Sequence, residues 1–341
     1  MRSQQSLRTL LTAGVALLAA VAILAIGVGS VAIPPTEVIG ILMHGIGVGT
    51  GAAADAGSTA IVVELRLPRI AAAILVGGAL AVAGGVFQSL LRNPLADPYV
   101  LGTSSGAALG AAVAILVPIS GVAWELGGVQ LAAFAGALAA VGIVWRVAGI
   151  GSGEERIASV LLVGYAVASL LAAALSLVML MSGANLRAIF GFLLGGLDGV
   201  TWPRLAAAAL PLVLATVLLA IRGRPLAALL LGDEGAAHLG VEVRRERRIS
   251  VALASLATAA AVALVGLIGF VGLVVPHLIR LAVGPDPRAV LPLSAIGGAL
   301  LLLVADSVAR TIGIPVGVIT ALIGAPFLLW LLHRSRRGYA L

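Results

Sequence analysis

The sequence predicts an all-α membrane protein, a single bundle of about ten transmembrane helices. Three observations predict it. Hydrophobic residues make up 61% of the chain and charged residues only 10%, with a mean hydropathy of +1.18. Apolar runs of crossing length recur from end to end, and a hydrocarbon core about 30 Å thick takes about 20 such residues per helix. The runs are continuous rather than alternating. That selects helices over barrel strands, the other structure that satisfies its backbone in lipid. No polar stretch is long enough to fold alone, so residues 1–341 read as one transmembrane domain.

The elements follow in order. The first run, 8–31, follows Arg2 and Arg8 and exceeds the apolar core of a signal peptide, so it reads as a retained helix. A Gly- and Ala-rich segment, 32–65, leads to the second run, 66–91. A turn rich in Asn, Pro and Asp separates it from the third, 99–117. The fourth, 124–147, joins the fifth, 156–181, through "GIGSGEER". The sixth, 204–221, runs into a polar segment, 222–248. The seventh at 249–273, the short eighth at 275–284, the ninth at 289–310 and the tenth at 315–333 complete the bundle.

Arginine sets the orientation, because basic residues collect on the cytoplasmic side of a membrane. With the N-terminus inside, ten crossings return the C-terminus inside, and only Arg66, Arg69, Arg187, Arg204 and Arg310 fall outside. The reverse orientation inverts that bias. All 21 basic residues are Arg, so the phosphate-binding Lys of a P-loop ATPase is absent. There is no cysteine, which excludes disulfides and thiolate metal sites. The +7 charge belongs to the membrane anchors and is not read as nucleic-acid binding.

One stretch stands apart: "LLRNPLADPYVLGTSSGAALG", Leu90 to Gly110. Asn93-Pro94 and Asp97-Pro98 break the helix on the inner side. Irregular polar backbone near membrane depth is tolerated only beside protein or a water-filled path, so the stretch points to a transporter or channel. Gly77, Ala81 and Gly85 before it, and Gly102, Gly106 and Gly110 after it, recur every fourth residue and let backbones approach closely. In "RGRPLAALLLGDEGAAHLGVEVRRERR", Pro225 suits a first helical turn, Gly232 ends that helix, Asp233 is a plausible N-cap and Gly240 stops the next. Two short helices there make a rigid knob on the inner face; the plainer reading is a solvated loop with basic anchors. His277 in "VVPHLIR" reads as structural rather than as a haem ligand, and "GTSSG" with His277 is no nucleophile motif.

The stretch from Leu65 to Ala111, together with "LLLGDEGAAHLGVEVRRERR" and "GLIGFVGLVVPHLIRLAVGPDPRAVLPLSAIGGALLLLVADSVARTIGIPVGVITALIGAPFLLWLL", closely resembles the membrane subunits of ABC importers for iron-siderophores, haem and cobalamin, the FecCD-type permeases. The resemblance implies a type II ABC importer permease bundle working as a homodimer in a bacterial inner membrane. It implies two separate ATP-binding subunits inside and a substrate-binding protein outside. The cargo it implies is a metal chelate, with ferric siderophore first and cobalamin or haem next. This chain would perform no bond chemistry and bind no cofactor; ATP and Mg would sit on the partner ATPase.

The resemblance also implies site residues. Gly232, Asp233, Glu234, Ala236, His238, Leu239 and Gly240 match the element that docks in the ATPase subunit. Arg66, Arg69 and Arg310 match outer pockets that receive acidic residues of the binding protein; the alternative is local neutralisation by Glu64 and Asp306. Asn93 and Leu95 match the inner gate, with Gln88 one turn earlier and "GIGSGEER" as the second lip. Gly164, Ala168, Ala172 and Ser176 on the fifth run line the path or simply pack. An ion-coupled secondary transporter is the rival reading, but its mid-membrane acids are missing, since the acidic residues cluster near the run ends.

Overall fold

The computed structural model describes residues 4–29, 31–45, 55–117, 127–148 and 154–338. Among these residues the chain is helical with no strand. Seven of its helices are long and apolar enough to cross a membrane: α1 (Gln4–Gly27), α3 (Ala56–Leu90), α5 (Gly128–Ala148), α6 (Glu154–Leu180), α8 (Trp202–Ala220), α11 (Val243–Val265) and α13 (Pro287–Ile312). Shorter apolar helices are α4 (Thr103–Leu116), α7 (Leu186–Leu194), α12 (Val271–Val283) and α14 (Val316–Gly338). Three further helices lie in the connections: α2 (Pro35–Gly45), α9 (Gly223–Leu229) and α10 (Asp233–His238). Each of the ten predicted runs overlaps a helix among the described residues. The protein is a multi-pass, all-α membrane bundle.

Helix α3 is the axis of the fold. Most of its apolar window is buried, and it packs against α8, α11, α12 and α13. Small residues make this possible: Gly77 lies against the backbone of Gly298, and Gly84 against that of Gly272. A second layer, α4, α5 and α6, joins the axis through α11. There Ala107, Ala111, Ala133, Ala137 and Ala259 form an alanine seam.

Four features differ from the sequence expectation. First, α3 begins at Ala56, not at residue 66, so Arg66 and Arg69 lie inside the helix rather than at its end. Asp55 starts it by accepting the Gly57 and Ser58 amides. Pro68 has no amide proton and crowds the preceding turn, and the helix widens into a π turn over Ile61–Arg66. The carbonyl of Val63 is taken instead by the indole N–H of Trp202, at 2.9 Å. Second, the seventh run is cut at Gly266, and α12 starts at Val271. Gly195 and Gly266 have φ of 66° and 74°. They let the broken ends exchange bonds: Gly196 donates to the Val265 carbonyl at 2.8 Å, and Leu267 to the Phe192 carbonyl at 3.4 Å.

Third, the segment after α3 turns back into the protein. Pro98 lies against Gly272, whose own neighbour is the Leu80 carbonyl. That places it ten residues, or about 15 Å, up the axis from the end of α3. A 3₁₀ turn, Pro98–Leu101, then leads into α4. The Tyr99 hydroxyl donates to the Ile268 carbonyl at 2.9 Å and closes this segment onto the α11–α12 break. Fourth, Asp233 is not an N-cap. Gly232 holds that position, and the Asp233 carboxylate turns away to Arg247.

Candidate functional site

Chemistry-bearing residues collect at the two ends of the bundle. At the arginine-poor end, the three singled-out arginines surround one cavity of ≈ 690 Å³, together with Asp198, Gly29 and Pro315. Arg66 is 6% exposed. It donates to the backbone carbonyls of Ile26 and Val31, fastening the α1–α2 connection to the π turn. Arg69 grips Asp306 at 2.7 Å and also pairs with Asp198. Arg310 pairs with Asp306 at 3.2 Å and donates to the Ala25 carbonyl at 3.1 Å. Asp306 is 0% exposed, so this carboxylate depends on its two arginines. Asp198 is the exposed partner: its side chain is 74% exposed on the rim.

At the other end, α9 and α10 form the two-helix knob. Gly223 packs on the backbone of Arg288 at the start of α13. Arg222 pairs with Glu246 at 2.5 Å, and Ser250 donates to the same carboxylate at 3.0 Å. Arg247 holds Asp233 with two bonds, at 2.6 and 3.0 Å. Ala236 is buried under α10, while Glu234, His238, Leu239 and Gly240 face outward. Such a knob is a rigid exposed surface, not a loose loop.

The gate candidates lie beside it. Asn93 is exposed, and its side chain accepts the Leu95 amide at 2.9 Å, closing the turn on itself; Leu95 is half-buried. Gln88 is buried within the subunit. Its amide donates to the Leu273 carbonyl at 3.1 Å, and its oxygen accepts from Arg280 at 3.0 Å, so it stitches α3 to α12. On α6, Gly164 is buried against the Val100 carbonyl, Ala168 is half-buried, and Ala172 and Ser176 are exposed. The second lip, at 149–153 of "GIGSGEER", lies outside the described residues.

Asp97 closes the same connection, accepting the Tyr99 amide at 2.8 Å.

The FecCD transport family matches residues 17–334. The chain belongs to that family. Its relatives include the cobalamin import system permease protein BtuC of Halobacterium salinarum, 44% identical over 82% of this chain and 75% of that protein. The hemin transport system permease protein HmuU of Yersinia pestis is 42% identical over 80% of this chain and 83% of its own length. YvrB of Bacillus subtilis, an uncharacterized ABC transporter permease protein, is 40% identical over 95% and 93%. Among solved structures, an inward-facing one described as a metal-chelate type ABC transporter aligns with a TM-score of 0.82 at 29% identity, covering 96% of this chain and 99% of that one. This FecCD chain is therefore an ABC transporter permease, a transport component and not an enzyme.

Sequence reasoning missed Asp198, Arg92, Arg247 and Arg280 as participants. The last three were read only as basic anchors. Asp198 had a signal: it is the lone acid in the glycine-rich "GGLDGV" beside the arginine-poor end.

Proposed function

We propose that this permease imports a bulky metal chelate, with the metal tetrapyrroles cobalamin and haem ahead of ferric siderophores. The names of two relatives above 40% identity favour that order over the siderophore-first expectation. It works as a homodimer. Two ATP-binding subunits dock on the arginine-rich, cytoplasmic end at α9–α10, through the Gly232–Gly240 surface. Both termini lie on that side. A substrate-binding protein docks at the opposite end, where an acidic side chain displaces Asp198 from Arg69 in the cavity shared with Arg66 and Arg310. Asn93 and Leu95 close the inner end of the path, Gln88 holds that turn in place, and the α6 face at Ala172 and Ser176 lines the path.

The observation that carries this reading is the pairing, on a family permease, of a braced two-helix knob at one end with an arginine-lined cavity at the other. The permease in proteoliposomes with its ATPase and binding protein should accumulate labelled cobalamin or haem when ATP is supplied. Accumulation driven by an ion gradient without the ATPase would overturn the reading in favour of a secondary transporter. Accumulation of ferric siderophores alone would overturn the cargo order.

A further inference from the structure

At the end of α3 a side chain stands where a glycine is expected. The chain leaves the helix through the two backbone bonds of a standard C-terminal cap: Asn93 donates to the Gln88 carbonyl at 3.1 Å, and Arg92 to the Ser89 carbonyl at 3.4 Å. The donor of the second bond, the first residue past the cap, is left-handed in such a motif, and glycine is its usual occupant. Here it is Arg92, with φ 47°. A left-handed arginine is disfavoured by contact between its Cβ and the backbone. The strain is tolerated only where the surroundings hold it.

The guanidinium shows what holds it. It donates to the Leu229 carbonyl at the end of α9, at 3.3 Å. It also lies 3.6 Å from the carboxylate of Asp233, the first residue of α10. Arg92 thus reaches both helices of the knob at their junction. Asp233 is fixed from the far side by Arg247 on α11. Arg92 is the residue immediately before Asn93, whose side chain locks Leu95 into the same turn. We propose that Arg92 is the positioning residue that makes the Asn93–Leu95 turn follow the α9–α10 knob, so that movement of the docked ATPase reaches the inner gate. The inference rests on the reading of α9–α10 as the ATPase dock. Loss of the arginine leaves Arg247 on Asp233, so the knob keeps its shape while the turn loses its tie.

Arg92→Gly is the discriminating variant, because glycine keeps the cap backbone and removes the side chain that makes the tie. The chain has no cysteine, so Leu95→Cys gives a single spin-label site per copy. The distance between the two labels is measured in the full transporter in lipid, nucleotide-free and after trapping with ATP and vanadate. In the parent the distance changes on trapping. In Arg92→Gly the change should fall by more than half while ATP hydrolysis stays within about threefold of the parent. Its thermal stability should equal or exceed the parent's, since strain is relieved. Arg92→Lys, with a point charge in place of the fork, should recover part of the change. A full distance change in Arg92→Gly overturns the proposal, and so does a fall in its thermal stability, which would make Arg92 a structural brace. No change in the parent itself overturns the dock reading beneath it.

Discussion

Gly84→Ala should cost most of the folded protein. A Cβ at residue 84 would stand 1.8 Å from the carbonyl oxygen of Gly272 and 2.7 Å from its Cα. Both are backbone atoms of α12, so no rotamer change relieves the clash. The two helices must part at the centre of the bundle. Ordinary overpacking costs about 1–3 kcal/mol because side chains give way. Backbone against backbone should reach or pass about 3 kcal/mol. Gly272→Ala should be as damaging, since its Cβ would meet the Pro98 ring at 2.6 Å and the Leu80 carbonyl at 2.7 Å, displacing the re-entrant segment too. Gly142→Ala, on α5, is the control. A Cβ there meets nothing within 4 Å, and replacing a helical glycine should raise stability by about 0.5–1 kcal/mol. Yield of monodisperse protein and unfolding temperature in detergent decide the matter. Equal behaviour of Gly84→Ala and Gly142→Ala would mean that α3 and α12 do not touch as described.

The difference between these glycines marks what a sequence discloses. Four-residue spacing identified Gly77, Gly85, Gly106 and Gly110 as packing positions, and the structure sets Gly77 on Gly298 and Gly106 on Gly136. The apolar runs disclosed every long helix, because twenty residues without charge have few alternatives in lipid. The two-helix knob was legible from Pro225, Gly232 and Gly240, which act locally. The break at Gly266 was not, because it rests on a bond exchange with Phe192 and Gly196 that no local pattern records. The length of α3 was misread because Glu64 and Arg66 looked like an end. A helix continues through charges when tertiary partners take them, and Arg66 spends its guanidinium on the carbonyls of Ile26 and Val31. The same holds at the gate: the contacts of Gln88 with Leu273 and Arg280 join it to α12, which no local pattern records.

At the arginine-poor end, Asp306→Ala should destabilise the protein by about 3–5 kcal/mol, the cost of leaving a buried charge without its partner. The argument starts from burial. Asp306 is 0% exposed, and the side chains of Arg69 and Arg310 are 12% and 7% exposed. Removing the carboxylate leaves two cations side by side with little water. Asp306→Asn should lose less, because its amide oxygen still accepts from Arg69, which now reaches the carboxylate through Nε at 2.8 Å. Asp198→Ala should change stability by less than about 1 kcal/mol, since an ion pair with one exposed partner gains little in water. The two acids on Arg69 therefore have separable roles. Asp306 holds the arginine in position, and Asp198 covers its outward face. If an acidic group of the binding protein replaces Asp198 there, Asp198→Ala should tighten binding of that protein at unchanged unfolding temperature. Asp306→Ala should lower the unfolding temperature first and binding as a consequence. Titration of binding protein against each variant in nanodiscs, alongside thermal unfolding, separates the cases. Weaker binding to a fully stable Asp198→Ala variant would make Asp198 a contact for the partner rather than a cover, and would move the docking surface from the cavity to its rim.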